Sequence, residues 1–197
     1  KKANVSIYPL SSNTYYVPDD YAKIQWAVDN ASAGDTIIVR DGTYTENVVV
    51  GKSLDIRGQN RDTTIIDANG KIGVHWMQYT NNVNISEFTI RNASIGIDVY
   101  SHTRGSVIRN NIITNCWTGI FCWQIDNTIA VVGNTLTNNG RGIVLSATPA
   151  LIYLNNFINN DDNVETSPSS TNIWNSTSPI TYTYNGSEFE NYLGNYW

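Results

Sequence analysis

The segment NCWTGIFCW, residues 115–123, brings together the residue types in this chain that are most able to do chemistry. It contains both cysteines and two of the six tryptophans of the 197-residue sequence. Two nearby thiols suggest a redox pair or soft metal ligands, whereas clustered rings suggest a surface for stacking against a ligand. The other soft or imidazole donors are the scattered single residues His75, Met77 and His102, and no Cys-x-x-Cys or His-x-x-x-His spacing occurs. We therefore predict no metal centre from these donors.

Carboxylates provide the second possible chemistry. Glycoside hydrolysis needs two carboxylates about 5–9.5 Å apart. His75 and Asp98 are the best candidates for a lyase or hydrolase, but no second acid stands in an obvious register with them. The pair Asp161-Asp162 falls at a turn and, with Asn163, could bind calcium through its oxygens. We predict no catalytic residue and no cofactor, with calcium as the alternative.

The composition restricts the possible partners. The net charge is -5, the pI is near 4.8, and only 15% of residues are charged. Nucleic-acid binding needs clustered Lys and Arg, so this balance argues against it. No apolar run approaches the ~20 residues of a membrane span, and no transmembrane segment is predicted. A hydrophobic fraction of 41% indicates a globular domain.

An internal repeat predicts the fold. Asparagines recur at steps of 23 residues, each followed four residues later by Gly and then by an aliphatic residue. These asparagines are Asn69, Asn92, Asn115 and Asn138. Short segments of period two, such as GIDVYS, indicate strands between polar turns. The pattern predicts an all-β, right-handed, single-stranded parallel β-helix, a solenoid with coils of about 23 residues.

Stacked coils place equivalent positions on top of one another at the strand spacing of about 4.8 Å. The aliphatic residues should then form inward columns, one of which contains Cys122 as a small hydrophobe. We predict that Cys116 and Cys122 are free thiols. The four repeated asparagines are predicted to form a buried ladder that satisfies the turn backbone, and the repeated glycines to allow a tight corner.

The two ends depart from the repeat. We predict one domain, 1–197, in which 1–34 form an N-terminal segment and a capping helix that begins near Pro18–Asp20. Coils follow over 35–165, and an aromatic C-terminal cap over 166–197. In this cap, Asn185-Gly186 is a turn signal that predicts a pair of strands. Caps are needed because a solenoid leaves both ends of its core open.

The repeat register turns a set of large side chains outward on one sheet. This predicted ligand- or partner-binding face comprises Tyr100, Trp117, Phe121 and Trp123, with His75 and Asp98 between them. Exposed apolar side chains that lie together mark an interaction surface. Three interpretations remain open: the C-terminal segment covers the face, a sugar stacks on it, or another subunit binds it.

Several Asn-x-Ser/Thr sequons could accept a glycan. The candidates are Asn4, Asn30, Asn84, Asn175 and Asn185. Asn92 also begins a sequon, but its predicted place in the buried ladder argues against its modification.

The opening segment IQWAVDNASAGDTIIVRDGTYTENVVVGKSLDIRGQNRDTTIID resembles the start of NosD-like β-helix domains of the pectate-lyase-like superfamily. The segments LNNFINN, NIWN and LGNYW resemble the end of such domains in surface proteins of archaea, methanogens especially. The resemblance covers residues 17–197 and implies an extracellular or envelope location. It implies no defined reaction, because the superfamily contains lyases, hydrolases, adhesins and inert scaffolds.

Three functional hypotheses follow. The first is a non-catalytic extracellular or cell-envelope protein with a structural, adhesive or assembly role, whose partners are other copies of itself or a surface polysaccharide. The second is a carbohydrate-binding module that uses the aromatic face. The third is a polysaccharide lyase or hydrolase. The repeat, the low charge and the missing catalytic set favour the first.

Overall fold

The computed structural model describes residues 12–125 and 128–197, which form a parallel β-solenoid. Each coil contributes short strands to three parallel sheets. In chain order the elements are β1 (Thr14–Val17), α1 (Ile24–Asn30), β2 (Thr36–Val39), β3 (Gly42–Tyr44), β4 (Val48–Val50), β5 (Asp55–Gly58), β6 (Thr64–Asp67), β7 (Ile72–Trp76), β8 (Asn84–Ser86), β9 (Thr89–Arg91), β10 (Ile95–Val99), β11 (Val107–Arg109), β12 (Ile112–Thr114), β13 (Thr118–Trp123), β14 (Ile129–Val132), β15 (Thr135–Thr137), β16 (Arg141–Ser146), β17 (Ala150–Tyr153), β18 (Asn156–Ile158), β19 (Asp162–Thr166), β20 (Ile180–Tyr184) and β21 (Ser187–Asn191).

The three sheets form the walls of the solenoid. The first sheet has the order β1-β2-β5-β8-β11-β14-β17, the second β3-β6-β9-β12-β15-β18, and the third β4-β7-β10-β13-β16-β19. Successive coils thus lie side by side in each sheet. The predicted parallel β-helix is confirmed.

The predicted inward columns are also present. Ile97 pairs with Ile120, which pairs with Ile143, and all three are fully buried. Cys122 lies in the adjacent column and is likewise fully buried. Both Cys116 and Cys122 are free thiols. Burial raises the pKa of the Cys116 thiol to about 11, and burial also raises the pKa of Cys122. Both cysteines therefore belong to the core.

The predicted asparagine ladder was assigned to the wrong column. Asn69, Asn92, Asn115 and Asn138 are exposed, and they adopt left-handed backbone conformations with φ between 49 and 55°. Asn tolerates this conformation better than most residues, which explains its repetition at this corner. The side chains face solvent, so burial no longer argues against modification of Asn92.

The buried ladder lies in another column, formed by Asn111, Asn134, Asn155 and Asn195. The Oδ1 atom of Asn134 accepts hydrogen bonds from the backbone N–H of Asn111 at 3.0 Å and from its Nδ2 at 3.1 Å. Asn134 in turn donates from Nδ2 to the carbonyl of Ile108 and to Oδ1 of Asn155. Each asparagine thus satisfies backbone groups of the preceding coil and binds the asparagine of the next coil.

The repeated glycines also serve a purpose other than the predicted one. They do not have the positive φ of a tight corner. A Cβ atom on Gly119 would lie 2.6 Å from the carbonyl oxygen of Gly142, and one on Gly96 would lie 2.5 Å from that of Gly119. Such contacts are far inside van der Waals distance. These positions require glycine because adjacent coils approach closely.

The N-terminal helix is shorter than predicted. It begins at Ile24, because the chain around Pro18–Asp20 forms a turn in which the Asp20 carboxylate accepts the N–H of Tyr16. The carboxylate of Glu46 accepts the first free N–H groups of the helix, both at 3.1 Å. Lys52 donates to carbonyls at the other end. The negative charge of Glu46 at the N-terminus and the positive charge of Lys52 at the C-terminus both interact favourably with the helix dipole. These contacts also hold the helix against β4.

The C-terminal segment continues two of the sheets. Ile173 pairs with Leu151 at the end of the first sheet, and Tyr196 pairs with Asn156 at the end of the second. Asn195 supplies the last rung of the ladder, since its Oδ1 accepts two hydrogen bonds from Asn155. Between these contacts β20 and β21 form an antiparallel hairpin. The predicted strand pair at Asn185-Gly186 is therefore confirmed.

We predict that Asn134→Ala lowers the free energy of unfolding by about 3 kcal/mol, because it leaves several buried donors and acceptors without partners. Asn138→Gly is the matched control: it removes an exposed Asn from a left-handed corner that glycine also adopts, and should change stability by less than about 0.5 kcal/mol. Urea unfolding measures both. Equal losses in the two variants would contradict the assignment of the ladder.

Candidate functional site

The outer face of the third sheet carries the residues with the greatest capacity for binding. Alternation along the strands turns Val49 outward while Val48 and Val50 are buried. The pairing of successive coils aligns one outward row, formed by Val49, His75, Asp98, Phe121 and Val144. Two residues further along each coil come Met77 and Tyr100, directly after β7 and β10, and Trp123 at the end of β13. Residues from separate coils thus form one continuous surface.

Tyr100 and Trp123 form an aromatic pair on this surface. Their ring centroids are 5.1 Å apart with a 54° tilt between planes. Tyr100 is 36% exposed and Met77 49%. Within the described residues, the C-terminal segment pairs with the ends of the first and second sheets rather than with the strands that carry this pair. Trp123 is half-buried, so Tyr100 presents the more exposed ring of the two.

His75 and Asp98 lie beside the aromatic pair and bind each other. The distance from His75 Nδ1 to Asp98 Oδ2 is 2.8 Å. Asp98 is only 6% exposed, and its Oδ1 has no hydrogen-bond partner among the described residues. Burial raises the pKa of Asp98, although the hydrogen bond from His75 opposes the rise. When Asp98 is ionised, Nδ1 must carry the proton, which leaves the lone pair of Nε2 as an acceptor.

A groove runs along β4 on the same face. It consists of two depressions that share Asn47 and Val49 in their walls. The depression lined by Lys71, His75 and Ser94 has a volume of about 420 Å³. The other, of about 490 Å³, lies between α1 and Met77. The groove thus combines apolar side chains with several polar groups in its lining.

Of the predicted site residues, the structure brings together His75, Asp98, Tyr100 and Trp123. Phe121 is half-buried between Asp98 and Val144 in the same row. The structure separates Trp117 from this group.

Trp117 is 69% exposed at the corner before β13 and lines a different depression with Gly140, Arg141, Asp161 and Asp162. In the predicted calcium turn, Asp161 and Asp162 are exposed, whereas the amide oxygen of Asn163 already accepts a hydrogen bond from Asn160.

The sequence did not indicate the groove. Its central residue Val49 was missed because the first coils do not keep the 23-residue step: Val48, rather than Gly51, pairs with Val74. Lys71 and Ser94 occupy corner positions that carry different residues in other coils. The alternation of VVV in β4 is invisible in its composition, and only the inward burial of Val48 and Val50 distinguishes Val49 from its neighbours.

Three parallel sheets with an open groove on one outer face define a β-helix protein of the pectate-lyase-like class. The chain belongs to the NosD family: the family model described as "Periplasmic copper-binding protein (NosD)" matches residues 28–149 and 73–197.

A cell surface glycoprotein from Methanothermus fervidus is 37% identical over 99 residues, which are 49% of this chain and 16% of the relative. The chain thus spans a small part of that relative's length.

Two solved structures show the same fold. Geobacillus virus E2 ORF18 has a TM-score of 0.59 at 18% identity, over 79% of this chain and 37% of that one. The pectate lyase Pel9A also has a TM-score of 0.59, at 12% identity, over 84% and 59% of the two chains. At these identities the likeness concerns the fold alone.

The family and the archaeal relative place the protein outside the cytoplasm, in the envelope or the extracellular space. In the described part of the chain, no helix has the length and hydropathy that a bilayer crossing requires.

The described residues do not fit the copper named in the family description. Copper prefers imidazole, thioether and thiolate ligands. Cys116 and Cys122 are buried thiols whose pKa values burial raises, so they resist forming thiolates. His75 binds Asp98 through Nδ1 and offers only its Nε2 atom, and His102 stacks on Tyr79 at 4.9 Å. No group of three His, Cys, Asp or Glu residues in 12–125 and 128–197 could hold a metal ion.

We predict that Asp98→Asn stabilises the fold at pH 7 by on the order of 1 kcal/mol, because it removes a buried charge with an unpartnered oxygen. A raised carboxyl pKa in the folded state costs stability as the pH rises above the unfolded value. The gain should therefore vanish below about pH 4, where Asp98 is protonated in both states.

His75→Gln is the opposing variant. It removes the interactions that lower the pKa of Asp98, and it should therefore destabilise the fold at pH 7. Urea titrations at several pH values measure both changes. Destabilisation by Asp98→Asn at pH 7 would contradict this description of the pair.

Proposed function

We propose that the protein is a non-catalytic, adhesive β-helix of the cell envelope that binds a polysaccharide in the groove on the outer face of the third sheet. The observation that carries the proposal is the aromatic pair beside this groove, formed by the exposed Tyr100 and the half-buried Trp123. Large apolar groups exposed together on a soluble protein mark an interaction surface.

The chemistry of the groove suits a sugar chain. Aromatic rings offer flat apolar faces to the C–H faces of pyranose rings. Hydroxyl groups of a sugar can bond to the available polar groups, namely the Lys71 ammonium, the Ser94 hydroxyl and the Nε2 atom of His75. A groove with a largely apolar lining and a few polar groups is the common form of a ligand site.

The competing class is a lyase or hydrolase that uses His75 and Asp98. The nearest carboxylate in the row of Asp98 is Glu165, three strands away. At the strand spacing this separation is about 14 Å, beyond the ~9.5 Å limit of a glycosidase pair. This distance favours binding over hydrolysis.

We predict that Trp123→Ala weakens binding of a cell-surface polysaccharide at least about tenfold, as is usual for truncation of a central aromatic contact. Trp117→Ala is the matched control, since it removes an equally large ring from a separate depression, and should leave the affinity unchanged. A glycan array identifies the ligand, and isothermal titration measures the affinities.

Equal weakening by both substitutions would contradict the proposed site. Absence of binding to any glycan, together with polymers seen by light scattering and electron microscopy, would instead favour the assembly role. Release of reducing ends or unsaturated sugars that His75→Gln abolishes would replace the proposal with an enzymatic one.

A further inference from the structure

The hairpin formed by β20 and β21 projects from the solenoid. At its base the N–H of Ser176 donates to the carbonyl of Leu193, and the N–H of Leu193 donates to the Ser176 hydroxyl. Beyond this clamp, the residues from 181 to 191 are all exposed, and the two strands pair only with each other among the described residues. The hairpin thus adds no strand to the three sheets of the solenoid.

The tip of this hairpin is the sequon Asn185-Gly186-Ser187. Asn185 and Gly186 have φ angles of 50° and 76°, as in the two-residue turns that join antiparallel strands. The Asn185 side-chain amide makes no hydrogen bond to any residue in 12–125 or 128–197. The acceptor asparagine and its serine thus lie at an exposed turn, clear of the solenoid wall.

Asn4 lies outside the described residues, and two other sequon asparagines, Asn30 and Asn92, have engaged amides. Nδ2 of Asn30 donates to the Trp26 carbonyl at 2.8 Å. Nδ2 of Asn92 donates to Asp67 at 2.9 Å, which ties the corner to a charged group. Modification of either amide would disturb a contact that the fold uses.

Asn175 and Asn84 are restricted in other ways. Asn175 donates to the carbonyl of Ser176 at 3.1 Å, and Ser176 is itself 2% exposed in the clamp at the hairpin base. Asn84 is half-buried on β8, with β5 and β11 paired on its two sides. A sequon held in a sheet cannot bend into the active site of a transferase.

We propose that Asn185 is a site of N-linked glycosylation. In the transfer, the Asn185 amide nitrogen forms a bond to the anomeric carbon of an oligosaccharide carried on a lipid phosphate. The bond from that carbon to the phosphate oxygen breaks, the lipid phosphate leaves with the electron pair, and the amide nitrogen loses one proton. The lipid-linked oligosaccharide is the required co-reactant.

The aromatic side chains beside the tip give the glycan a second role. Strand alternation places Tyr182, Tyr184 and Phe189 on one face, and the rings of Tyr182 and Phe189 stack at 5.7 Å. Tyr184, adjacent to Asn185, is 65% exposed and Phe189 is 45% exposed. Sugars attached at the tip are within reach of these rings and can cover them with their C–H faces. The glycan thereby shields an apolar patch that would otherwise promote association.

The test is site mapping by mass spectrometry of the full chain, exported from a host that glycosylates a co-expressed sequon reporter. Asn185 should carry the glycan. Ser187→Ala keeps Asn185 but removes the sequon, and should abolish the glycan mass on that peptide. Asn175→Gln, at the base of the same hairpin, is the matched control and should leave the modification of Asn185 unchanged. Circular dichroism of the purified variants checks that the solenoid is intact.

An unmodified Asn185 in a preparation whose reporter is glycosylated would overturn the proposal. So would persistence of the glycan on that peptide in Ser187→Ala. Because the groove lies on the third sheet and the hairpin follows the first, failure of this modification leaves polysaccharide binding in the groove unaffected.

Discussion

The stacking of coils in parallel register is the constraint on which the rest of this structure depends. Each residue lies one strand spacing from its equivalents in the coils above and below. The favourable or unfavourable effect of a residue type at one position is therefore repeated along the solenoid. A buried polar side chain must then form hydrogen bonds with the equivalent side chain of the adjacent coil. Asn111, Asn134 and Asn155 do this, since each amide donates to a carbonyl of the preceding coil and to the asparagine of the next coil. The glycines obey the same constraint, because the carbonyl of the adjacent coil occupies the space of a side chain.

The same stacking builds the candidate site. His75 and Asp98 are 23 residues apart in sequence, yet their strands pair and their side chains hydrogen-bond at 2.8 Å. Tyr100 and Trp123 come together in the same way. A flat row of outward side chains on paired strands is rigid, because each strand is bonded on both sides. The cost of ordering such a surface on binding is therefore small, which suits recognition of a long and regular polymer.

The repeat predicted the fold, the two buried columns that contain Ile97 and Cys122, and the outward direction of Tyr100 and Trp123. It did not identify the correct asparagine ladder, because Asn115 and Asn138 recur at the same step as Asn111 and Asn134. Only the left-handed backbone at the first pair turns their side chains to solvent. The groove was also missed, since it requires the irregular first coils and the position of α1 beside β4. Periodicity reveals which positions are equivalent, but not how the chain turns between them.

The central claim is that the Tyr100–Trp123 pair contacts a polysaccharide, and NMR observation of the tryptophan indoles during titration with the glycan tests it most directly. The six tryptophans give separate indole signals that point mutants can assign. The account predicts that the Trp123 signal shifts with the bound fraction while those of Trp117 and Trp197 stay in place. A shift of Trp117 or Trp197 without one at Trp123 would contradict it.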